Sequence, residues 1–168
     1  MVMAFKNNVT EIAALLYPQI YTDTSTLQLA DKDKIQIGDS CADRLCKEWQ
    51  NLAKRIPNLE HIAEANVGGN SPIDLLDLSQ GIAYELKYSH KNVKHEFYKD
   101  LFKVLIFNQD ETNEIKIKQF VFLCHHQGIG SLLRSSLCVA TIQFMQKNGI
   151  EVELVELFPK EIIKSRAA

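Results

Sequence analysis

Three side chains in the stretch PIDLLDLSQGIAYELK, from Pro72 to Lys87, are of types that together can do chemistry: Asp74, Glu85 and Lys87. The stretch reads as two apolar strands joined by LSQG, with charge where a sheet normally carries apolar residues. A turn centred between Ser79 and Gln80, as a two-residue loop or as the four-residue loop Leu78 to Gly81, puts Asp74 directly opposite Glu85. Opposed residues share a face, with Cα atoms ~4.5–5.5 Å apart. A three-residue loop would break the match. Glu85 and Lys87 share a face whatever the turn, because side chains alternate along a strand.

Two carboxylates facing each other in a partly buried sheet repel, so one must hold a proton or a cation must sit between them. A divalent metal satisfies that requirement economically. Mg²⁺ accepts one or two carboxylates, keeps several waters and takes phosphate oxygens, so such a pair beside a lysine suits phosphodiester chemistry. Lys87 would orient or deprotonate an attacking water, or stabilise charge on the phosphorus centre. The competing reading is a solvated hairpin with a surface Glu85–Lys87 ion pair; against it, Ile82, Ala83, Tyr84 and Leu86 read as buried strand, where unneutralised charge is costly.

The elements that would position these residues follow from periodicity. TEIAALLY from Thr10 reads as a short helix stopped by Pro18. Residues 21–38 read as irregular, with strand character at KIQI. A helix capped by Asp39 or Ser40 carries Cys41, Leu45, Trp49, Leu52 and Ile56 on one stripe and stops at Pro57. NVGGNSP is a turn cluster before the hairpin. Val93, Phe97, Leu101, Val104 and Leu105 predict a helix over 94–108, and IKQFVFLC predicts a strand buried on both faces. Leu132, Leu133, Leu137, Ala140 and Phe144 predict one further helix, ended by KNG before the strand IEVELVEL, which makes a parallel βαβ unit. The sum is an α/β domain: a mixed β-sheet flanked by helices.

The chain has 168 residues, 46% hydrophobic and 24% charged, which suits one compact domain and excludes disordered and fibrous classes. A formal net charge of -2 excludes a protein that coats polyanions wholesale, yet allows a local basic face. Four cysteines without a CxxC pair, and no leader at the start of the chain, predict a reduced cytoplasmic setting. No apolar run approaches the ~18 residues of a membrane span.

Pro72, Asp74, Glu85 and Lys87 form a proline-flanked aspartate, ten intervening residues and E-x-K on an apolar strand. This pattern resembles the PD-(D/E)xK nuclease superfamily, with Ile73 intervening between the proline and the aspartate as a departure. The motif covers about Gly68 to His90, and the flanking element order extends the likeness to most of the chain as pattern only. The resemblance implies a restriction endonuclease-like fold over residues 1–168, with 1–38 as an N-terminal extension. It implies Asp74, Glu85 and the carbonyl of Leu86 as ligands of Mg²⁺, with Mn²⁺ as a substitute, and Lys87 as the catalytic lysine. It further implies an endonuclease of restriction or DNA-processing type that cuts DNA, RNA being the second candidate, as a homodimer. The alternative is a non-catalytic nucleic-acid- or protein-binding module on the same fold.

Other candidates are weaker. The EIK at Glu114 to Lys116 follows a polar loop and lacks an aspartate on a preceding strand. Asp77 falls opposite Ile82 beside the turn and reads as a turn acid. Glu48 or Asp43 is a candidate extra acid from the preceding helix, with no motif to recommend it. Lys91, Lys94 and Lys99 are candidate phosphate-backbone contacts, and His95, Lys99 and Lys103 fall one turn apart on a predicted solvent face. In CHHQGIGSLLRSS, nine residues separate Cys124 from Arg134, too many for the phosphate loop of cysteine-dependent phosphatases. Gly128 and Gly130 lack the third glycine and the lysine of a nucleotide cradle. His125 and His126, adjacent at a strand end, are expected to point apart rather than to share a zinc ion.

Overall fold

In a computed structural model, which describes residues 2–57, 60–67 and 71–166 with side chains from residue 8 onward, five strands form one mixed sheet. The strands are β1 (His61–Ala65), β2 (Ile73–Asp77), β3 (Ile82–Lys87), β4 (Gln119–His125) and β5 (Glu151–Leu157), in spatial order 1-2-3-4-5. The first three are antiparallel, while β4 runs parallel to both β3 and β5. Around them pack α1 (Val2–Ile20), α2 (Asp31–Ala53), α3 (Val93–Gln109), α4 (His126–Leu133), α5 (Ser136–Lys147) and the short α6 (Lys160–Arg166).

The central strands are buried on both faces, and their alternation separates two cores. Ala83, Phe120, Phe122 and Cys124 face α3, α4 and α5, meeting Phe97, Leu101, Ile129 and Met145. Tyr84, Leu86, Val121 and Leu123 face the other way, onto Val9, Ala13 and Tyr17 of α1 and Leu45 and Trp49 of α2. The chain is thus α/β, with helices covering both sides of a mixed sheet. Residues 1–38, read from sequence as an extension, supply part of the second core through α1.

Helix boundaries differ from the periodicity reading at three places. α1 begins at Val2 rather than at Thr10, and Pro18 lies inside its last turn rather than just past its end. Burial of Tyr17 and Ile20 on either side of it outweighs the lost hydrogen bond. KIQI is not a strand but the second turn of α2, which begins at Asp31, so Asp39 and Ser40 sit mid-helix. Four residues of alternating character are too few to distinguish the periods, and Asp31 and Asp33 complement the helix dipole. The expected single helix after β4 is two, α4 and α5, bent by 84° at the intervening residues. Of its predicted stripe only Leu132 is buried; Leu133, Leu137 and Phe144 are 56–65% exposed, and Ile129, Cys138 and Met145 face the core in their place. The edge strand β1 is not expected from the sequence: its less exposed positions, His61, Ala63 and Ala65, are a histidine and two alanines rather than large apolar residues. The centre of the NVGGNSP cluster, residues 68–70, lies outside the described residues. Among the described residues no single helix is long and apolar enough to cross a membrane.

The hairpin closes through the four-residue loop Leu78 to Gly81, with Leu75 opposite Tyr84, Leu76 opposite Ala83 and Asp77 opposite Ile82. Gly81 adopts φ +67°, and a Cβ there would lie 2.6 Å from the Lys116 carbonyl oxygen. Its own carbonyl accepts from Lys118 N at 2.8 Å, which ties the hairpin to the start of β4. Gly81→Ala is therefore expected to destabilise the fold by about 2 kcal/mol, from left-handed backbone plus a main-chain clash. Urea unfolding followed by the fluorescence of Trp49, the sole tryptophan and fully buried, measures the loss.

Candidate functional site

Extending the hairpin register one step past Leu75 and Tyr84 sets Asp74 across from Glu85. The β2–β3 pairing stops there, and Asp74 Oδ2 instead accepts the N–H of Leu86 at 2.9 Å. Gln50 of α2 holds the other side of this residue, donating Nε2 to the Asp74 carbonyl at 2.8 Å. Glu85, with Lys87 two residues on, belongs to the face covered by α3, and Glu85 is fully buried.

Burial of that carboxylate is made tolerable by a row of charges on α3, where Glu96, Asp100 and Lys103 lie along one side of the helix. Lys103 Nζ donates to Glu85 Oε1 at 2.9 Å and to the Pro72 carbonyl at 2.8 Å, and lies 2.8 Å from Asp100 Oδ1. Lys87 Nζ lies 3.2 Å from Asp100 Oδ2, 3.4 Å from Glu96 Oε2 and 3.9 Å from Glu85 Oε2. Lys99 in turn pairs with Glu96 at 2.7 Å. Four carboxylates, Asp74, Glu85, Glu96 and Asp100, thus face three ammoniums, Lys87, Lys99 and Lys103, which leaves one negative charge if all are ionised.

Protonation follows from this arrangement. Burial, then the neighbouring Asp74 and Asp100 carboxylates, push Glu85 well above the ordinary carboxylate range against the pull of Lys103 and Lys87. Burial opposes the charge on Lys87, but Asp100, Glu85 and Asp74 together outweigh it and raise its pKa. Lys87 therefore stays protonated at neutral pH. It can donate a hydrogen bond or offset anionic charge, and it is a poor base for deprotonating water. On the α2 side the Cys46 thiol is pushed up to about 12 by burial and by the Asp74 and Glu85 charges, so it is not a nucleophile.

Among the described residues no group of three or more His, Cys, Asp and Glu side chains is arranged to hold a metal ion. A smaller donor set is nevertheless present. Glu85 Oε2 is buried without a hydrogen-bond partner, and Asp74 lies beside it. Leu86, whose N–H is taken by Asp74, turns its carbonyl toward the same neighbouring strand. Two carboxylates and a carbonyl suit an ion that keeps most of its waters, as Mg²⁺ does.

Asp100, Lys103 and Glu96 were not singled out as site residues in the sequence. Their signal was a polar row at steps of four and three, immediately beside the apolar row Phe97, Leu101 and Val104. Lys103 was placed on a solvent face with His95 and Lys99; it is instead only 6% exposed. One helical turn of four residues overshoots by ~40°, which carries Lys103 round toward Glu85 while Lys99 stays outside. Lys91, Lys94 and Lys99 are exposed. Asp77 is a turn residue, accepting from Ser79 Oγ, Gln80 N and Gln80 Nε2. Glu48 and Asp43 pair on the α2 surface with Arg44 and Lys47. The second E-x-K, Glu114 to Lys116, lies in a loop. Burial pushes the Cys124 thiol up to about 12. His125 and His126 do not point apart: their rings are 4.3 Å between centroids, because β4 passes directly into α4 and the backbone turns between them.

If Lys103 is the main neutraliser of Glu85, Lys103→Met strands a buried carboxylate and should cost on the order of 3–5 kcal/mol in urea unfolding. Adding Glu85→Gln should recover part of that loss, and a double-mutant cycle measures the coupling. The chain matches no protein-family model, no curated protein and no solved structure.

Proposed function

We propose that this chain is a metal-dependent phosphodiesterase of restriction endonuclease-like fold that cuts DNA as a homodimer in the cytoplasm. The observation that carries the reading is Glu85: a buried carboxylate beside Asp74, with Oε2 unpartnered and Lys87 3.9 Å away. The residues that would hold Mg²⁺ are Asp74, Glu85 and the Leu86 carbonyl, and the bound ion would supply Lewis acidity toward the scissile phosphate. Lys103 fixes Oε1 of Glu85 and so turns Oε2 outward from the pair. Lys87, kept cationic by Asp100, Glu85 and Asp74 and in contact with Glu96, is placed to stabilise an anionic phosphate oxygen. Asp100 and Glu96 act through Lys87 as positioning residues. DNA is preferred over RNA on the resemblance of the E-x-K motif, and the four free cysteines fit a reducing compartment.

A second reading, a binding module that does not cut, is favoured by one observation: Lys103 already offsets the Glu85 charge, so the fold does not require an added cation. Plasmid nicking separates the two. On the first reading supercoiled DNA is nicked in Mg²⁺ or Mn²⁺, Glu85→Gln and Asp74→Asn lower the rate by at least ~100-fold, and gel-shift affinity in Ca²⁺ survives. No nicking of DNA or RNA by the folded protein in either metal leaves the binding module.

The ion and the proton compete for Glu85. As pH falls into the window above the ordinary carboxylate range, the folded protein takes up the proton and cation binding should weaken; as pH rises the proton leaves and binding strengthens. Thermal unfolding with and without Ca²⁺ should therefore show a stabilisation that grows as pH rises through the titration of Glu85, and none in Glu85→Gln.

A further inference from the structure

Along the outer side of α3 runs a groove of about 450 Å³ whose lining includes His95, Tyr98, Lys99, Phe102, Lys103 and Ile106. Two features of this groove are unusual for a solvent-facing helix. Phe102 is 63% exposed and Ile106 51% exposed. Lys99 also lines the groove beside Tyr98 and Phe102, its side chain 41% exposed and its ammonium paired with Glu96 at 2.7 Å. Lys94 on the same helix and Lys91 just before it are exposed and have no carboxylate partner among the described residues. Lys103, which also lines the groove, is the residue that holds Glu85, so the groove adjoins the carboxylate site through that one side chain.

We infer that this groove binds single-stranded nucleic acid, with unpaired bases stacked on Phe102 and Tyr98 and the backbone tracked by Lys91, Lys94 and Lys99. The inference rests on the phosphodiesterase reading of the adjoining site and names its substrate class. In a duplex, base faces are covered by their neighbours and only edges and phosphates are presented; an exposed ring finds a flat partner only where bases are unstacked. A groove lined by rings and aliphatic carbon, with Lys99 in its wall and the exposed Lys91 and Lys94 outside its lining toward the start of α3, matches the pairing of base and phosphate contacts that a single strand requires. A second copy of this chain is the competing occupant. Two-fold pairing through this face would bring the same lysines of both copies together, which disfavours it.

The test uses the full chain and a fluorescein-labelled 20-nucleotide oligo(dT), compared with a mixed-sequence duplex of the same length, by anisotropy in Ca²⁺ at low salt. Oligo(dT) is expected to bind at least about five-fold more tightly than the duplex, the lower bound for one base stack. Phe102→Ala should remove that preference and Phe102→Trp should keep it, since tryptophan retains a stacking face. Phe102 is exposed, so neither change threatens the fold. Equal affinity for the duplex, or an unchanged preference in Phe102→Ala, overturns the inference. So does a dimer in light scattering that Phe102→Ala converts to monomer, because the face is then an interface between copies. Metal-dependent nicking of duplex plasmid that Phe102→Ala leaves intact, with no oligo(dT) preference, removes the groove and spares the phosphodiesterase reading. Phe102-dependent oligo(dT) binding without cleavage of any substrate keeps the groove as a binding site and removes the phosphodiesterase.

Discussion

A carboxylate with no exposed surface must be met by positive charge, a proton or a dipole, and Glu85 is such a carboxylate at the centre of this sheet. Much of the local architecture follows from that need. Lys103 reaches it from α3, and Asp100, itself fully buried, then requires both Lys103 and Lys87. Lys103 also takes the carbonyl of Pro72, so the same ammonium that neutralises Glu85 anchors the entry to β2. The charged cluster therefore fastens α3 to the hairpin through directional contacts, while Phe97, Leu101 and Val104 supply the apolar contact beside it.

Such an arrangement is a poor way to gain stability alone, since buried ion pairs rarely outdo apolar packing of the same volume. Its imbalance is the informative part. Three ammoniums do not satisfy four carboxylates, the Glu85 carboxyl is pushed toward its protonated form, and Oε2 is left without a hydrogen bond. A core selected only for packing would have no use for that residual demand. Lys87, held cationic on three sides, adds a fixed positive charge at the cluster's more open end.

The chain ends of the hairpin matter as much as its charges. A loop of four residues, stabilised by the Asp77 carboxylate and by the left-handed Gly81, fixes which residues oppose one another. A register shifted by one would turn Asp74 to the opposite face from Glu85. At the other end of the hairpin the ladder opens, and the side chain of Asp74 replaces a main-chain acceptor for Leu86. The site thus lies where β2 and β3 stop pairing.

Period-two alternation around LSQG was enough to determine the hairpin and the shared face of Glu85 and Lys87, whereas the opposition of Asp74 and Glu85 followed only for a two- or four-residue loop, and the tertiary structure decided on the four-residue one. The apolar runs likewise determined α3, β4, β5 and the α/β class. Tertiary structure alone decided what neutralises Glu85, since Lys103 is eighteen residues away and its rotation about α3 depends on packing. It also decided the start of α2, the bend between α4 and α5 and the outward turn of Leu137 and Phe144. Local sequence carries periodicity; which of two faces is buried, and which charge meets which, depends on neighbours far along the chain.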